Sequence, residues 1–331
     1  VRALIELARI LPTGASPEAI AETLRLRTSA AAALASALLA PETARPTPEA
    51  DLPTARLGTP EAGAAPTVGA ARPAARANVP ARLGPYQLGA ELGHGGMGIV
   101  FRAQHVKLGS DCAVKVLIAG EHASPESIER FQREAAAVAR MGKHPNIVTV
   151  HDLGQEGALS YYAMELVEGE SLRRRIAERP YAPKDAAALV EKVARALHFA
   201  HEHGVVHRDV KPENIVVRSD GEPQVMDFGL ARDLGSSARL SMTGQVMGTP
   251  AYMAPEQVRG DVAATDARTD VYALGAVLYE LLTGIPPHGG QDLGAIFSRV
   301  LTGDIVPPRK LRADVPRDVE TVCLRCLELS P

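Results

Sequence analysis

The order in which the hydrophobic period changes along the chain constrains its fold more than any other feature. From Tyr86 to Leu166 the sequence runs in short β-type segments: Tyr86–Leu92, Ile99–Val106, Cys112–Ile118, Ile147–Leu153 and Leu159–Leu166, parted by Gly and turn residues. One helical pattern interrupts them, with Ile128, Phe131, Ala135, Val138 and Met141 stepping by three or four. Beyond Leu172 helices take over. Leu189, Val190, Val193, Leu197 and Ala200 line one face, and Val271 to Leu282 is almost wholly apolar, as a buried helix is. Strands followed by helices predict an α+β protein of two lobes with a cleft between them. The small β-rich lobe falls at about 86–167 and the large helical lobe at about 168–331.

The residues ahead of Tyr86 have a different texture. Val1 to Arg82 is mostly Ala, Pro, Thr and Arg, and buries too little apolar area to offset backbone ordering. It is expected to be a largely disordered tail, with weak Ala-rich helix at Ser29–Ala40 and a linker over the Pro-studded Pro41–Pro80. Across 331 residues, 36 Lys+Arg stand against 39 Asp+Glu, a balance that gives no field to draw nucleic acid. The three cysteines, Cys112, Cys323 and Cys326, cannot build a disulfide framework and point to a reducing, cytoplasmic setting. Cys323 and Cys326 have no second Cys pair or His at zinc spacing and read as two thiols on one helical face. The chain starts at Val1 and stops at Ser330-Pro331 within an apolar pattern. It is therefore expected to be a fragment, with the end of the large lobe and any membrane anchor of the parent protein lying downstream.

Three motifs carry chemistry. Gly93-His94-Gly95-Gly96-Met97-Gly98-Ile99-Val100 places glycines where backbone N–H groups can approach phosphate oxygens. It lies between two β-runs rather than opening a helix, which argues against a dinucleotide site; His94 at its tip is expected to face solvent. In Ala113-Val114-Lys115, strand alternation puts Ala113 and Lys115 on one face. Lys115 is then either an edge charge or a cation aimed into the cleft. Glu134 on the following helix is its natural counter-ion, or a solvated glutamate.

His207-Arg208-Asp209-Val210-Lys211-Pro212-Glu213-Asn214 is more specific. It puts a base, a cation and a metal ligand on one loop, the set that phosphoryl transfer needs to hold a hydroxyl in line and neutralise the moving charge. Asp227-Phe228-Gly229 then supplies a second oxygen ligand suited to a hard cation.

With these in order, and with Ala254-Pro255-Glu256 and Asp270 behind them, the chain from Tyr86 to Pro331 resembles the eukaryotic-type Ser/Thr protein kinases of bacteria. The resemblance implies the two-lobed kinase fold and transfer of the ATP γ-phosphate to Ser/Thr hydroxyls of protein substrates. In that reading Gly93, Gly95 and Gly98 cover the phosphates, and Lys115 grips them, oriented by Glu134. Asp209 takes or orients the substrate proton, Lys211 stabilises the transferring group, and Asn214 and Asp227 hold Mg²⁺, with Mn²⁺ as the alternative. Glu165 to Val167 form the hinge that binds adenine, Met164 stands as gatekeeper, and Val100 and Ala113 roof the ring. Lys211 and Gly248-Thr249-Pro250-Ala251-Tyr252 resemble Ser/Thr rather than Tyr kinases. A scaffold of the same fold that binds partners without catalysis is the rival reading.

The segment from Asp227 to Glu256 carries Ser236, Ser237, Ser241, Thr243 and Thr249. Autophosphorylation between associating copies is expected at Thr243, then Ser241, with Arg208 and Arg232 converging on the phosphate by resemblance. His198, His201, His203 and His207 lack zinc-type partners and are not read as a metal site. Arg173-Arg174-Arg175 reads as a solvated helix face. Glu256, which in the family pairs with an Arg of the last helix, is expected to lack that partner in this chain.

Overall fold

A computed structural model describes residues 79–95, 98–117, 135–157, 159–228, 250–290 and 292–329. Six strands form an antiparallel sheet: β1 (Arg82–Leu83), β2 (Tyr86–Gly95), β3 (Gly98–His105), β4 (Asp111–Leu117), β5 (Val150–Glu156) and β6 (Leu159–Met164), in the order β1-β2-β3-β4-β6-β5. The short β1 pairs Arg82 with Gln87, so the sheet begins a few residues ahead of Tyr86.

Alternation along these strands divides the small lobe between two apolar clusters. Cys112, Val114, Val116, Tyr161 and Ala163 point to an outer cluster with Ile99, Phe101 and Ala103. Ala113, Leu117, Tyr162 and Met164 point the other way, into a cluster continuous with the large lobe. The inner face of the sheet is therefore the roof of the space between the lobes. Residues 135–140 are helical, and Ala135 and Val138 join the inner cluster.

The run Ile147–Leu153 does not form one strand. Ile147 makes a parallel bridge to Val225, and Val148 N–H donates to the Val225 carbonyl at 2.9 Å, so these two apolar residues are tied to the large lobe. The strand proper, β5, starts at Val150 and lies at the sheet edge with mostly half-buried and exposed positions. An edge strand needs no apolar run, which is why its boundary was misread.

The large lobe opens with β7 (Gly169–Ser171), α1 (Leu172–Glu178) and α2 (Pro183–Glu202), then β8 (Ile215–Arg218) and β9 (Pro223–Val225), which complete a three-stranded sheet with β7. After Pro250 come α3 (Pro255–Arg259), α4 (Ala267–Thr283), α5 (Leu293–Thr302), α6 (Pro308–Leu311) and α7 (Arg317–Cys326). The central α4 packs against α2 and α7 and buries every residue from Tyr272 to Leu282. Asp266 caps its start through the Arg268 N–H, and Gly284, at φ 81°, ends it.

Gly275 on α4 is needed for close helix approach, since a Cβ there would lie 2.5 Å from Cys326 Cβ. The two α7 thiols are packing groups: Cys323 is buried, and burial pushes the Cys326 thiol up to about 12. Among the described residues, no helix is long and apolar enough to cross a membrane.

Candidate active site

Strand register assembles the first half of the site. Val100 lies opposite Lys115 across β3 and β4, and Lys115 lies opposite Tyr162 across β4 and β6, with Ala113 opposite Met164. All five therefore share the inner face of the sheet. Lys115 Nζ reaches across the cleft to Asp227 Oδ2 at 2.8 Å, which settles its side chain as an inward cation and not an edge charge. Tyr162, 2% exposed, donates its hydroxyl to Asp227 Oδ1 at 2.6 Å. Burial alone would raise the Asp227 pKa, but the Lys115 charge and the bonds from Lys115 and Tyr162 outweigh it and hold the carboxyl below its usual range. Burial, with the adjacent carboxylate, keeps the Tyr162 phenol well above its ordinary pKa, so it remains a donor.

The 207–214 loop supplies the second half. Lys211 Nζ sits 2.7 Å from Asp209 Oδ2, and Asn214 Nδ2 donates to the Asp209 carbonyl at 2.8 Å and to Oδ2 at 3.0 Å. The loop is held from beneath by the fully buried Asp270 at the start of α4. Its carboxylate accepts the N–H groups of His207 at 2.8 Å and Arg208 at 2.7 Å and pairs with His201 Nε2 at 2.7 Å.

His207 is fully buried, and burial pushes its pKa down despite the nearby carboxylates. Its Nδ1 accepts the Asp209 N–H at 3.2 Å, and its Nε2–H donates to the Met226 carbonyl at 3.0 Å, an arrangement that requires the neutral Nε2–H tautomer. One imidazole thus ties the Asp209 segment to the Asp227 segment. Arg208 at φ 65° and Asp227 at φ 59° are the described non-glycine residues with positive φ. Such backbone costs about 1–3 kcal/mol per residue and persists only where the surroundings over-determine it. Asp270 and His207 provide those restraints.

Between the lobes, Glu165, Leu166 and Val167 form the extended connection after β6, and the Glu165 N–H is used by the Thr149 carbonyl at 2.9 Å. Where β2 meets β3, Gly95 pairs with Gly98, and among the described residues an added Cβ at Gly93 would meet nothing within 4 Å. Gly98 differs. A Cβ there would fall 2.2 Å from the Val116 carbonyl oxygen, so this glycine is required by strand packing. His94 is exposed, its Nδ1 3.2 Å from Glu91 Oε1.

The sequence reading missed one cluster. Arg173 is not part of a solvated face: its Nε donates to Glu213 Oε1 at 2.8 Å, its Nη1 to Glu280 Oε1 at 2.5 Å, and its Nη2 to the Tyr252 hydroxyl, which itself donates to Glu280. Only Arg174 of the basic run is well exposed, while Arg175 reaches the Arg218 carbonyl at 3.1 Å. Glu280 was the available signal, because a carboxylate inside an otherwise apolar buried helix must have a partner. Gln257 adds a further tie, accepting the Ala254 N–H and donating to the Arg208 carbonyl. Glu256 accepts the Thr269 hydroxyl on Oε1 at 2.5 Å, and among the described residues no ion pair to an arginine joins it. Of the remaining histidines, His198 lies 3.5 Å from Glu202, and His203 Nδ1 bonds to the Phe199 carbonyl.

Glu134, Gly96, Met97, Gly229, Arg232, Ser236, Ser237, Ser241, Thr243 and Thr249 lie outside the described residues.

The sequence profile of the protein kinase domain matches residues 86–329. The chain belongs to the protein kinase family. Its relatives place it among the eukaryotic-type Ser/Thr kinases of bacteria. It is 42% identical over 252 residues to serine/threonine-protein kinase PknB of Mycolicibacterium smegmatis, covering 74% of this chain and 40% of that protein. Against PknB of Mycobacterium leprae the identity is 41% over 251 residues, with the same coverage. A probable serine/threonine-protein kinase of Clostridium perfringens is 38% identical over 247 residues, covering 74% of this chain and 36% of the relative. The chain thus spans about 40% of the length of the PknB relatives it matches.

Proposed function

We propose that this kinase domain transfers the γ-phosphate of ATP to Ser and Thr hydroxyls of protein substrates. The observation that carries the reading is the convergence of Lys115, Asp227, Asn214, Lys211 and Asp209 from three chain segments on one cleft. Among the described residues, the side-chain donors on Asp209, from Lys211 and Asn214, both fall on Oδ2. Oδ1 is then the oxygen that accepts the proton of a substrate hydroxyl, while Lys211 remains beside it to meet the negative charge of the moving group. The adenine edge is read by the Glu165 carbonyl and the Val167 N–H, under a roof of Val100 and Ala113 and beside Met164. Gly93, Gly95 and Gly98 let the β2–β3 turn lie over the phosphates, which Lys115 grips with Glu134 behind it.

Asn214 and Asp227 suit a divalent cation by their donor set. The Asn214 amide nitrogen is committed to Asp209, so its carbonyl oxygen is the atom turned elsewhere, and Asp227 is held ionised. Two such oxygens fit a hard cation, Mg²⁺ or Mn²⁺. When bound, the cation supplies positive charge across the phosphate oxygens.

Presence of all five groups, and relatives named as serine/threonine kinases, favour catalysis over a binding scaffold. Activation by trans-autophosphorylation at Thr243, then Ser241, is part of this proposal, as is membrane attachment of the parent protein through a segment outside this chain. The test is incubation with γ-labelled ATP and Mg²⁺ and a generic basic protein, followed by phosphoamino-acid analysis. Label on Ser and Thr that disappears with EDTA is expected; label on Tyr, or incorporation unaffected by EDTA, contradicts the proposal.

A further inference from the structure

Among the described residues, Asp227 has two close side-chain partners, and they arrive from the same side. Lys115 and Tyr162 are directly opposed residues of β4 and β6, so their side chains leave the sheet together and divide the carboxylate between them, Lys115 on Oδ2 and Tyr162 on Oδ1. They differ in what else they can do. Lys115 carries a mobile charge on a flexible stem and, in the kinase reading above, transfers to nucleotide phosphate. Tyr162 is a rigid ring, 2% exposed, in the middle of a strand paired on both sides, with Lys115 across β4 and Leu153 across β5. Its hydroxyl has no comparable freedom to leave.

We propose that Tyr162 is a positioning residue for the metal-binding carboxylate of Asp227. The phenol fixes the rotation of the carboxylate through Oδ1, so that when Lys115 moves to phosphate, Oδ2 is released to the cation in a preset orientation. An oxygen ligated by a cation normally gains from a hydrogen bond behind it, because the bond restricts the ligand before binding and removes part of the entropy cost. Asp227 needs this more than an ordinary ligand does. Its backbone sits at φ 59°, a left-handed conformation that non-glycine residues rarely hold without outside support. The proposal rests on Asp227 being a metal ligand, as the proposed function has it.

The test uses Tyr162→Phe, which keeps the buried ring and removes only the donor. Binding of Mn²⁺ in the presence of a non-hydrolysable ATP analogue is followed by electron paramagnetic resonance, and binding of the analogue alone is measured in EDTA. Tyr162→Phe should weaken Mn²⁺ about ten-fold or more, the range for loss of a group that orients a metal ligand. Metal-free nucleotide affinity should stay within about two-fold, since no phosphate or adenine contact is lost. In turnover assays the variant should need more metal yet approach the parent kcat at saturating Mn²⁺.

Asp227→Asn separates the two levels of the argument. If it abolishes Mn²⁺ binding while Tyr162→Phe matches the parent protein, the positioning role is wrong and the ligand assignment stands. If Asp227→Asn leaves Mn²⁺ binding intact, the ligand assignment fails and the proposal with it. Equal losses of metal-bound and metal-free nucleotide affinity in Tyr162→Phe would show a general packing role, and would also overturn it.

Discussion

Asp270 Oδ1 accepts the backbone N–H of Arg208 at 2.7 Å, so a fully buried carboxylate at the start of α4 holds a residue whose φ is 65°. The same carboxylate takes the His207 N–H and pairs with His201. Replacing Asp270 by Ala strands two loop N–H groups and an imidazole in a dry site. The expected cost is about 3–5 kcal/mol, the range for breaking a buried network from one side. Asp270→Asn, which keeps one acceptor oxygen, should lose less. Urea denaturation of the three proteins measures this, and a loss below about 1 kcal/mol for Asp270→Ala would show that the loop holds itself.

The Arg173–Glu280 pair should behave as one unit. Glu280 is 1% exposed, and removing Arg173 leaves its charge without a guanidinium partner. Arg173→Met should destabilise by about 2–4 kcal/mol, discounted from the fully buried case because Arg173 keeps some water contact. Arg173→Met combined with Glu280→Gln should recover part of that loss, because the buried charge is then gone. Equal and additive losses in the double-mutant cycle would contradict the coupling.

Two glycines of the same turn should fail in different ways. Gly98→Ala forces a Cβ against the Val116 carbonyl and should cost about 1–3 kcal/mol of stability. Gly93→Ala meets no atom of the described residues, so its melting temperature should hold while KM for ATP rises several-fold through crowding of the phosphates. A fall in stability for Gly93→Ala with unchanged KM would reverse the two roles.

His288 sets an acid limit on stability. It is buried beside Tyr272, whose hydroxyl bonds its Nε2 at 2.8 Å, and burial, with Arg299 nearby and Asp304 opposing, lowers its pKa from 6.5 to about 4. The unfolded chain therefore binds a proton that the folded chain refuses between those values, and stability is full above pH 6.5 and falls as pH drops toward 4. The linked loss is about 3 kcal/mol at the acid end. His207, also pushed down, acts in the same direction. Denaturation at pH 7.5 and 5.0 should show a smaller pH effect in His288→Gln; identical pH profiles would contradict this assignment.

Much of this was legible in the sequence. The strand alternation of Ala113 and Lys115 and the 207–214 spacing depend on local geometry, and local geometry is written in local residue order. Helix α4 was readable for the same reason, as an unbroken apolar run. Tyr162, Arg173 and Glu280 were not readable as site residues, because their roles arise from contacts over 65 to 107 positions of sequence separation. A tyrosine in a strand and an arginine in a basic run have ordinary local explanations. Only the register of β4 against β6, and the approach of α1 to α4, turn them toward a carboxylate. The β5 boundary failed for the complementary reason: Ile147 and Val148 are apolar because they bind the large lobe, and that lobe lies elsewhere in the chain.

The most direct measurement of the central claim compares Asp209→Asn with the parent protein for transfer of labelled γ-phosphate to a Ser/Thr-containing substrate, alongside nucleotide affinity. Asn keeps the size of the side chain and can still meet Lys211 through its carbonyl, so nucleotide binding should change by less than about two-fold. Turnover should fall by about two to four orders of magnitude, the range for a positioned acid–base group. Transfer by Asp209→Asn at the parent rate would contradict the assignment of the base, and with it the account of this cleft as a phosphoryl-transfer site.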